Sequence, residues 1–258
     1  LMDYCNEIGI DFLCTPFSYQ AAVELESIGL EVIKIGSGEM TDIPSLVRMA
    51  TELKKPMIVS TGMCTLEEID RTYEALVATG VPLALTNCLS EYPPVYEDLN
   101  LGVIATMRER YPKAVIGHSD HTPDLYTSYA AVTVGAKIIE KHVILDKRQP
   151  GPDQSVSIDF VELHQLVDGI RKVEVALGKE KVVHKKEEKI REWAFRSIVT
   201  LLPVKKGEPI KAEQIWSKRP GTGIPSRFRN EVIGRIAQRD LAENSLVNWD
   251  DVDGEALE

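Results

Sequence analysis

Six short apolar runs recur through residue 145 at the spacing of one strand plus one helix, and no other feature limits the possible folds as much. They are "DFLCTPF" (11–17), "VIKIGSG" (32–38), "PMIVSTG" (56–62), "PLALTNC" (82–88), "AVIGHSD" (114–120) and "KIIEKHVIL" (137–145), with starts 21, 24, 26, 32 and 23 residues apart. Their near-continuous apolarity is that of strands in a parallel sheet with covered faces. Helix-like segments fill the gaps. Thr65 followed by Glu68 is a capping box opening an amphipathic helix, and Gly29, Gly80, Gly135 and Gly178 stand where helices would stop.

The texture changes after a long helix expected over 159–178. "KEKVVHKKEEKIREW" is a charged run, a solvated helix or linker. From about Ala194, the strand-like pieces "RSIVTLLPV", "IWSKRP" and "VIGRIAQRD" are broken by Gly, Pro and Asn, as in a small β-rich domain. The expected division is residues 1–178, a linker over 179–193, and a second domain over 194–258.

Two architectures cover both faces of a parallel sheet: the doubly wound open sheet and the closed eight-stranded barrel. No G-x-G-x-x-G turn follows a strand, which weighs against a dinucleotide-binding sheet. Polar residues instead crowd the C-terminal end of nearly every strand: Thr15, Ser37 and Glu39, Ser60 and Thr61, Asn87 and Ser90, Ser119 and His121, then His142. In a barrel these ends converge on one mouth. The expected fold is therefore an α/β (β/α)8 TIM barrel in which only six strands can be counted, followed by the small β-rich domain.

A formal charge of −10 (30 Lys+Arg against 40 Asp+Glu) opposes general affinity for nucleic acid but leaves room for a local cationic pocket. Four cysteines, at 5, 14, 64 and 88, form no C-x-x-C pair, and no apolar run has membrane length. The expectation is a cytoplasmic protein that contacts neither nucleic acid nor membrane.

His121 and His142 are 21 residues apart, one strand-helix-strand step. Either alone would be satisfied by a neighbour at a strand end. At equivalent ends of adjacent strands, both project into one mouth, where two neutral imidazoles can hold a divalent metal with positions left for substrate oxygens. His118 is expected in a structural or rim role, and His164 and His184 on the surface. In "KIGSGEMTD" (34–42) the amides, Ser37 and Lys34 suit a carboxylate or phosphate, with Thr15 and Ser119 adding hydroxyl donors. Asp153, at the tip of the loop "RQPGPDQSVSID" (148–159), either forms a turn or receives the hydroxyls of a polyol.

In order, "CTPF" (14–17), "KIGSGE" (34–39), "STGM" (60–63), "SEYP" (90–93), "GHSDHT" (117–122), "EKH" (140–142) and "PGPD" (150–153) resemble the sialic acid synthase (N-acetylneuraminate synthase) family. "RSIV…KRPGTG" (196–223) resembles that family's C-terminal antifreeze-like (SAF) domain, of β-clip type. The resemblance implies condensation of phosphoenolpyruvate with an N-acetylated amino sugar, typically N-acetylmannosamine, to a nonulosonic acid and phosphate, with Mn2+ or Mg2+ as cofactor. It implies His121 and His142 as metal ligands and Thr15, Lys34, Ser37, Ser90 and Ser119 around phosphoenolpyruvate. Glu39, Tyr92 and Asp153 fall near the sugar and reacting centre, with Glu39 the candidate for proton transfer and Lys34 for stabilising phosphate charge. Arg219, in "KRPG", matches an arginine that the family offers to a neighbouring subunit's sugar site in a domain-swapped homodimer.

The family usually reads "ERH" where Lys141 stands, a change expected to face away from the ligands. Family segments resembling "AEIG.NHNG" and "KFQ", which carry a catalytic glutamate and a phosphate-binding lysine, have no counterpart ahead of "CTPF". The chain is accordingly expected to be N-terminally truncated and of little activity alone. Alternative readings are a legionaminate, pseudaminate or spore-coat polysaccharide synthase of the same family, a non-catalytic carbohydrate- or partner-binding remnant, and an aldolase using Lys34 or Lys141 as Schiff-base lysine.

Overall fold

Alternation within the apolar runs decides what each side of the sheet meets. In the computed structural model, which describes residues 1–257, β1 (Ile33–Ile35), β2 (Met57–Ser60), β3 (Leu83–Cys88), β4 (Ala114–Asp120) and β5 (Ile139–Lys141) form one parallel sheet in chain order. The rungs align Ile33, Met57, Leu83 and Ala114 across four strands, so residues of equal parity share a face. One face carries Ile33, Ile35, Met57, Val59, Leu85 and Ile116, all buried. It packs on the apolar stripes of α3 (Ile43–Leu53), α4 (Leu66–Thr79), α5 (Val103–Arg110) and α6 (Tyr126–Val134), through Leu46, Leu76, Ile104 and Ala131 among others. The opposite face carries Lys34, Ser60, Thr86, Cys88, Ser119 and Glu140 toward the C-terminal strand ends. The result is a curled parallel half-barrel.

Local chemistry explains where the helices begin and end. Thr65 Oγ1 accepts from Glu68 N (3.3 Å) while Glu68 Oε2 accepts from Thr65 N (2.8 Å), the expected box, and Gly80 closes α4 with φ +81°. Asp159 and Glu162 make the same exchange at the start of α7 (Phe160–Ala176). Upstream lie α1 (Met2–Ile8) and α2 (Tyr19–Ser27).

One expected strand is absent. Residues 11–16 form no ladder with β1, so five strands stand where six were counted, and among the described residues the sheet ends at β1 and β5. A β-prone run becomes a strand where pairing also buries a face. Here Leu13 is 50% and Phe17 76% exposed, so little apolar burial rewards a parallel edge ladder.

The chain divides into two units, Leu1–Gly178 and Lys179–Glu258. The second opens with α8 (Lys185–Ala194), inside the charged run. It pairs β6 (Ser197–Thr200) antiparallel with β7 (Ile215–Lys218), over a separate core that includes Ile198, Val204, Ile215, Ile224 and Val247. The third strand-like piece, "VIGRIAQRD", is not a strand. Its start belongs to α9 (Arg229–Val232), and Ile236 and Ala237 make only isolated bridges to Pro209 and Val252. The turn at Gly234, with φ +91°, interrupts the run before a ladder can extend. No helix among the described residues is long and apolar enough to cross a membrane.

Candidate active site

The polar face of the sheet opens at its C-terminal edge into a cavity of about 490 Å³. Nine residues that the family resemblance implies as site residues line it: Thr15, Lys34, Ser37, Glu39, Ser90, Tyr92, Ser119, His121 and His142, and Ser60, a strand-end hydroxyl, joins them. They come from separate segments that only the parallel sheet brings together.

Lys34 reaches across the sheet. Its Nζ donates to Ser60 Oγ (2.8 Å) and to Ile35 O (3.2 Å), and lies 3.3 Å from Glu140 Oε2. Ser60 is in turn 2.9 Å from Thr86 Oγ1. Ser37 Oγ accepts from Gly62 N (3.0 Å), with Cys88 Sγ 3.5 Å away. A methyl at Gly62 would overlap Ser90 Oγ and come within 2.7 Å of Ser37 Oγ and 3.0 Å of Cys88 Sγ. The bare Cα is thus the floor on which two hydroxyls and a thiol converge. Glu39 folds its carboxylate back over Gly36, where an added methyl would meet Oε2 at 2.8 Å and Thr15 Cγ2 at 3.9 Å.

On the other side of the cavity, the His121 and His142 rings have centroids 5.2 Å apart, with Tyr92 against both at 4.2 and 5.7 Å. His121 Nδ1 is 2.7 Å from Leu89 O, a carbonyl that can only accept, so the proton sits on Nδ1 and Nε2 keeps its lone pair. The Tyr92 hydroxyl, 2.9 Å from Nε2, is then the donor. Burial pushes His121 down and Tyr92 up from their ordinary pKa values, keeping the imidazole neutral and the phenol protonated. Asp153 Oδ2 stands 3.6 Å from His142 Nδ1, behind the ring rather than in the cavity lining.

These imidazoles fit a divalent cation as a two-nitrogen donor set, since the tautomer of His121 is already the ligating one and a cation at Nε2 need displace only the Tyr92 hydroxyl. Among the described residues no cluster of three or more His, Cys, Asp or Glu is arranged to hold a metal. Two protein donors leave the other positions to water and substrate oxygens.

His118 is not at the rim. It is fully buried, with Nδ1 3.1 Å from Asn87 O and Nε2 without a partner, and burial depresses its pKa. The reason is parity, because the pleat turns His118 to the helix side while Ser119 faces the cavity. Lys141 faces away from the cavity, as expected, and pairs with Asp120. Arg219 lies in the second unit, its Nε donating to Ala194 O (3.0 Å) and its guanidinium 5.2 Å from the Trp193 ring.

Glu140 was missed as a site residue. The alternation of "EKH" carried the signal: if Lys141 points away, Glu140 and His142 point in. Cys88 and Met63 also line the cavity.

Hydroxyls, one lysine and two imidazoles thus stand together at the C-terminal ends of a parallel sheet, with a small β-rich unit following. The chain belongs to the NeuB family, which it matches over residues 1–182, and it matches the SAF domain over residues 195–253. The N,N'-diacetyllegionaminic acid synthase of Campylobacter jejuni is 36% identical over 251 residues, spanning 96% of this chain and 75% of that protein. The crystal structure of the spore coat polysaccharide biosynthesis protein SpsE of Bacillus subtilis aligns with TM-score 0.65 and 34% identity, over 99% of this chain and 76% of that one. That of the N-acetylneuraminic acid synthetase of Leptospira borgpetersenii aligns with TM-score 0.68 and 31% identity, over 73% and 66%.

Proposed function

We propose that the cavity condenses phosphoenolpyruvate with an N-acetylated amino sugar, giving a nonulosonic acid and phosphate, in the manner of a carbon–carbon bond-forming transferase. The observation that carries this reading is that one cavity holds two chemistries side by side. Lys34 with the hydroxyls of Thr15, Ser37, Ser60, Ser90 and Ser119 suits a small polyanion, and the His121–His142 pair suits a cation beside it. A Schiff-base aldolase is disfavoured, because Lys141 is buried facing away and Lys34 is engaged by Ser60 and Glu140.

In this mechanism C3 of the enol attacks the aldehyde carbon of the open-chain sugar, water adds at C2, and phosphate departs by C–O cleavage. Lys34 and the hydroxyl donors hold the anionic groups and stabilise the charge on the departing phosphate. Tyr92 orients the acceptor, Asp153 holds the His142 ring from behind, and Glu39 holds and moves a proton at its carboxylate above Gly36. Mn2+ or Mg2+, held by His121 and His142, would supply Lewis-acid polarisation of the aldehyde. The closed barrel, the homodimer and the part of Arg219 in it belong to the same reading, on the strength of the "KRPG" motif and the family.

N-acetylmannosamine is the first acceptor to try. The likeness to a diacetyllegionaminic acid synthase makes a diacetamido sugar the second. Titration calorimetry should show Mn2+ binding to the parent chain and a sharp loss in His121→Ala and His142→Ala. Unchanged binding in both variants refutes the metal assignment. A phosphate-release assay over the acceptor panel identifies the sugar, and failure of the chain to bind phosphoenolpyruvate would reject the reading itself.

A further inference from the structure

Behind the imidazoles, on the helix side of the sheet, lies a polar cluster that takes no part in lining the cavity. Asp120 and Lys141 are partners on the last rung of the β4–β5 ladder, and their charged groups meet at 3.1 Å. Their side chains are 0% and 3% exposed, and no other ion pair among the described residues has both members so buried. Asp120 Oδ1 accepts from Thr122 N (2.9 Å) and Thr122 Oγ1 (2.8 Å), and Oδ2 from Thr127 Oγ1 (2.7 Å) and Ser128 Oγ (2.6 Å). Lys141 Nζ donates to Thr122 O (2.5 Å) and Thr122 Oγ1 (3.0 Å).

A buried ion pair is weak as a source of stability, since well-packed apolar side chains of similar volume often do as well. What such a network provides is a fixed geometry. Here it fixes one place: His121 follows Asp120, His142 follows Lys141, and Thr122 belongs to the turn that carries His121 onward. The end rungs elsewhere in the sheet, Ile35 with Val59 and Ser60 with Thr86, hold no charged pair. β5 has only three residues, and past its end the backbone of His142 is held by Ile158 N donating to His142 O (2.9 Å), so the Asp120–Lys141 pair is what ties this end to β4.

We propose that Asp120 and Lys141 are positioning residues, which lock the ends of β4 and β5 so that His121 and His142 present their ring nitrogens to one divalent cation. This rests on the metal-assisted reading above. The lock touches neither substrate nor cation and acts through the backbone of the two ligands. Partners that hydrogen-bond a ligand ring directly change metal affinity by roughly 10- to 100-fold when removed, which sets the upper bound for a lock acting through the backbone.

The test is Mn2+ affinity of the full chain, read from the EPR signal of free Mn2+, alongside the melting temperature of each variant. Lys141→Met and Asp120→Asn are expected to weaken Mn2+ binding by roughly 10-fold, the low end of that range. Lys141→Arg, which restores a cation, should bring the affinity back toward that of the parent. Ser128→Ala removes one donor while leaving both charges, and should weaken binding by a few-fold, which decides the question if Lys141→Met does not fold. A lowered melting temperature with unchanged Mn2+ affinity in the folded variants would mean a purely structural pair and overturn the proposal. A parent chain that binds no Mn2+ would overturn the metal-assisted reading and this inference together, whereas a parent that binds and variants that bind equally overturn this inference alone.

Discussion

Side chains one position apart in this sequence have opposite fates, and the sheet pleat is the reason. Glu140 lies in the cavity against Lys34, Lys141 is sealed behind it, and His142 returns to the cavity. The same parity separates Ser119 from His118 and Asp120. Gly62 gives the sharpest prediction at this scale. Gly62→Ala places a methyl among Ser37 Oγ, Ser90 Oγ and Cys88 Sγ, forcing apart the groups that would hold the anion. Losing one hydrogen bond to a charged ligand costs about 1.5–3 kcal/mol, so phosphoenolpyruvate affinity should fall on the order of 10- to 100-fold with the fold retained. Calorimetry checks this, and equal affinity would remove Gly62 from the anion site. The hydroxyls and imidazoles were legible in the sequence because they end strands. The facing of Glu140 was carried by the alternation of "EKH" but its meeting with Lys34 was not, and Cys88 was not legible, because both depend on register.

Among the elements, β4 is the most tightly set. Gly117 has Ile138 O and Ile138 Cβ at 2.8 Å and Thr86 Cγ2 at 3.0 Å from where a Cβ would be. Backbone is among those neighbours, so the strand cannot yield by a side-chain shift, and Gly117→Ala should destabilise the first unit by about 1–3 kcal/mol. Gly102, at the start of α5 with αR dihedrals and nothing within 4 Å, is the control. Gly102→Ala should be neutral or stabilise by up to about 1 kcal/mol. Urea unfolding followed by circular dichroism compares the two, and equal midpoints would show that β4 has slack. The elements read correctly from sequence were those whose ends carry their own chemistry, such as α4 with its Thr65–Glu68 box and Gly80. Residues 11–16 were misread because strand propensity does not report whether a neighbouring edge rewards pairing.

The molecule as a whole has two cores with no residue in common, and each can be addressed separately. Trp193, Trp216 and Trp249 all lie in the second unit, so tryptophan fluorescence reports that unit, whereas circular dichroism reports both. Asp251, 5% exposed, would be raised by burial, but Arg239 and the Asn248 amide hold its carboxyl below the ordinary range. A depressed folded pKa contributes stability that is complete above the unfolded value of about 3.9, and that is lost as pH falls through the folded one. The fluorescence-detected urea midpoint should therefore drop on acidification from about pH 5 toward pH 3, and Asp251→Asn should lower the midpoint at pH 7 and flatten that drop. An unchanged acid slope in Asp251→Asn would assign the dependence to other carboxylates. By itself, the sequence determined the βα rhythm, the change of texture near residue 178 and the polar residues at strand ends, because periodicity, caps and breakers act over a few neighbours. Only the tertiary structure decided that five runs pair where six were expected, that Glu140 meets Lys34, and that a buried Asp120–Lys141 pair stands behind the imidazoles. Those outcomes depend on register and burial between segments 20 or more residues apart, which no local pattern encodes.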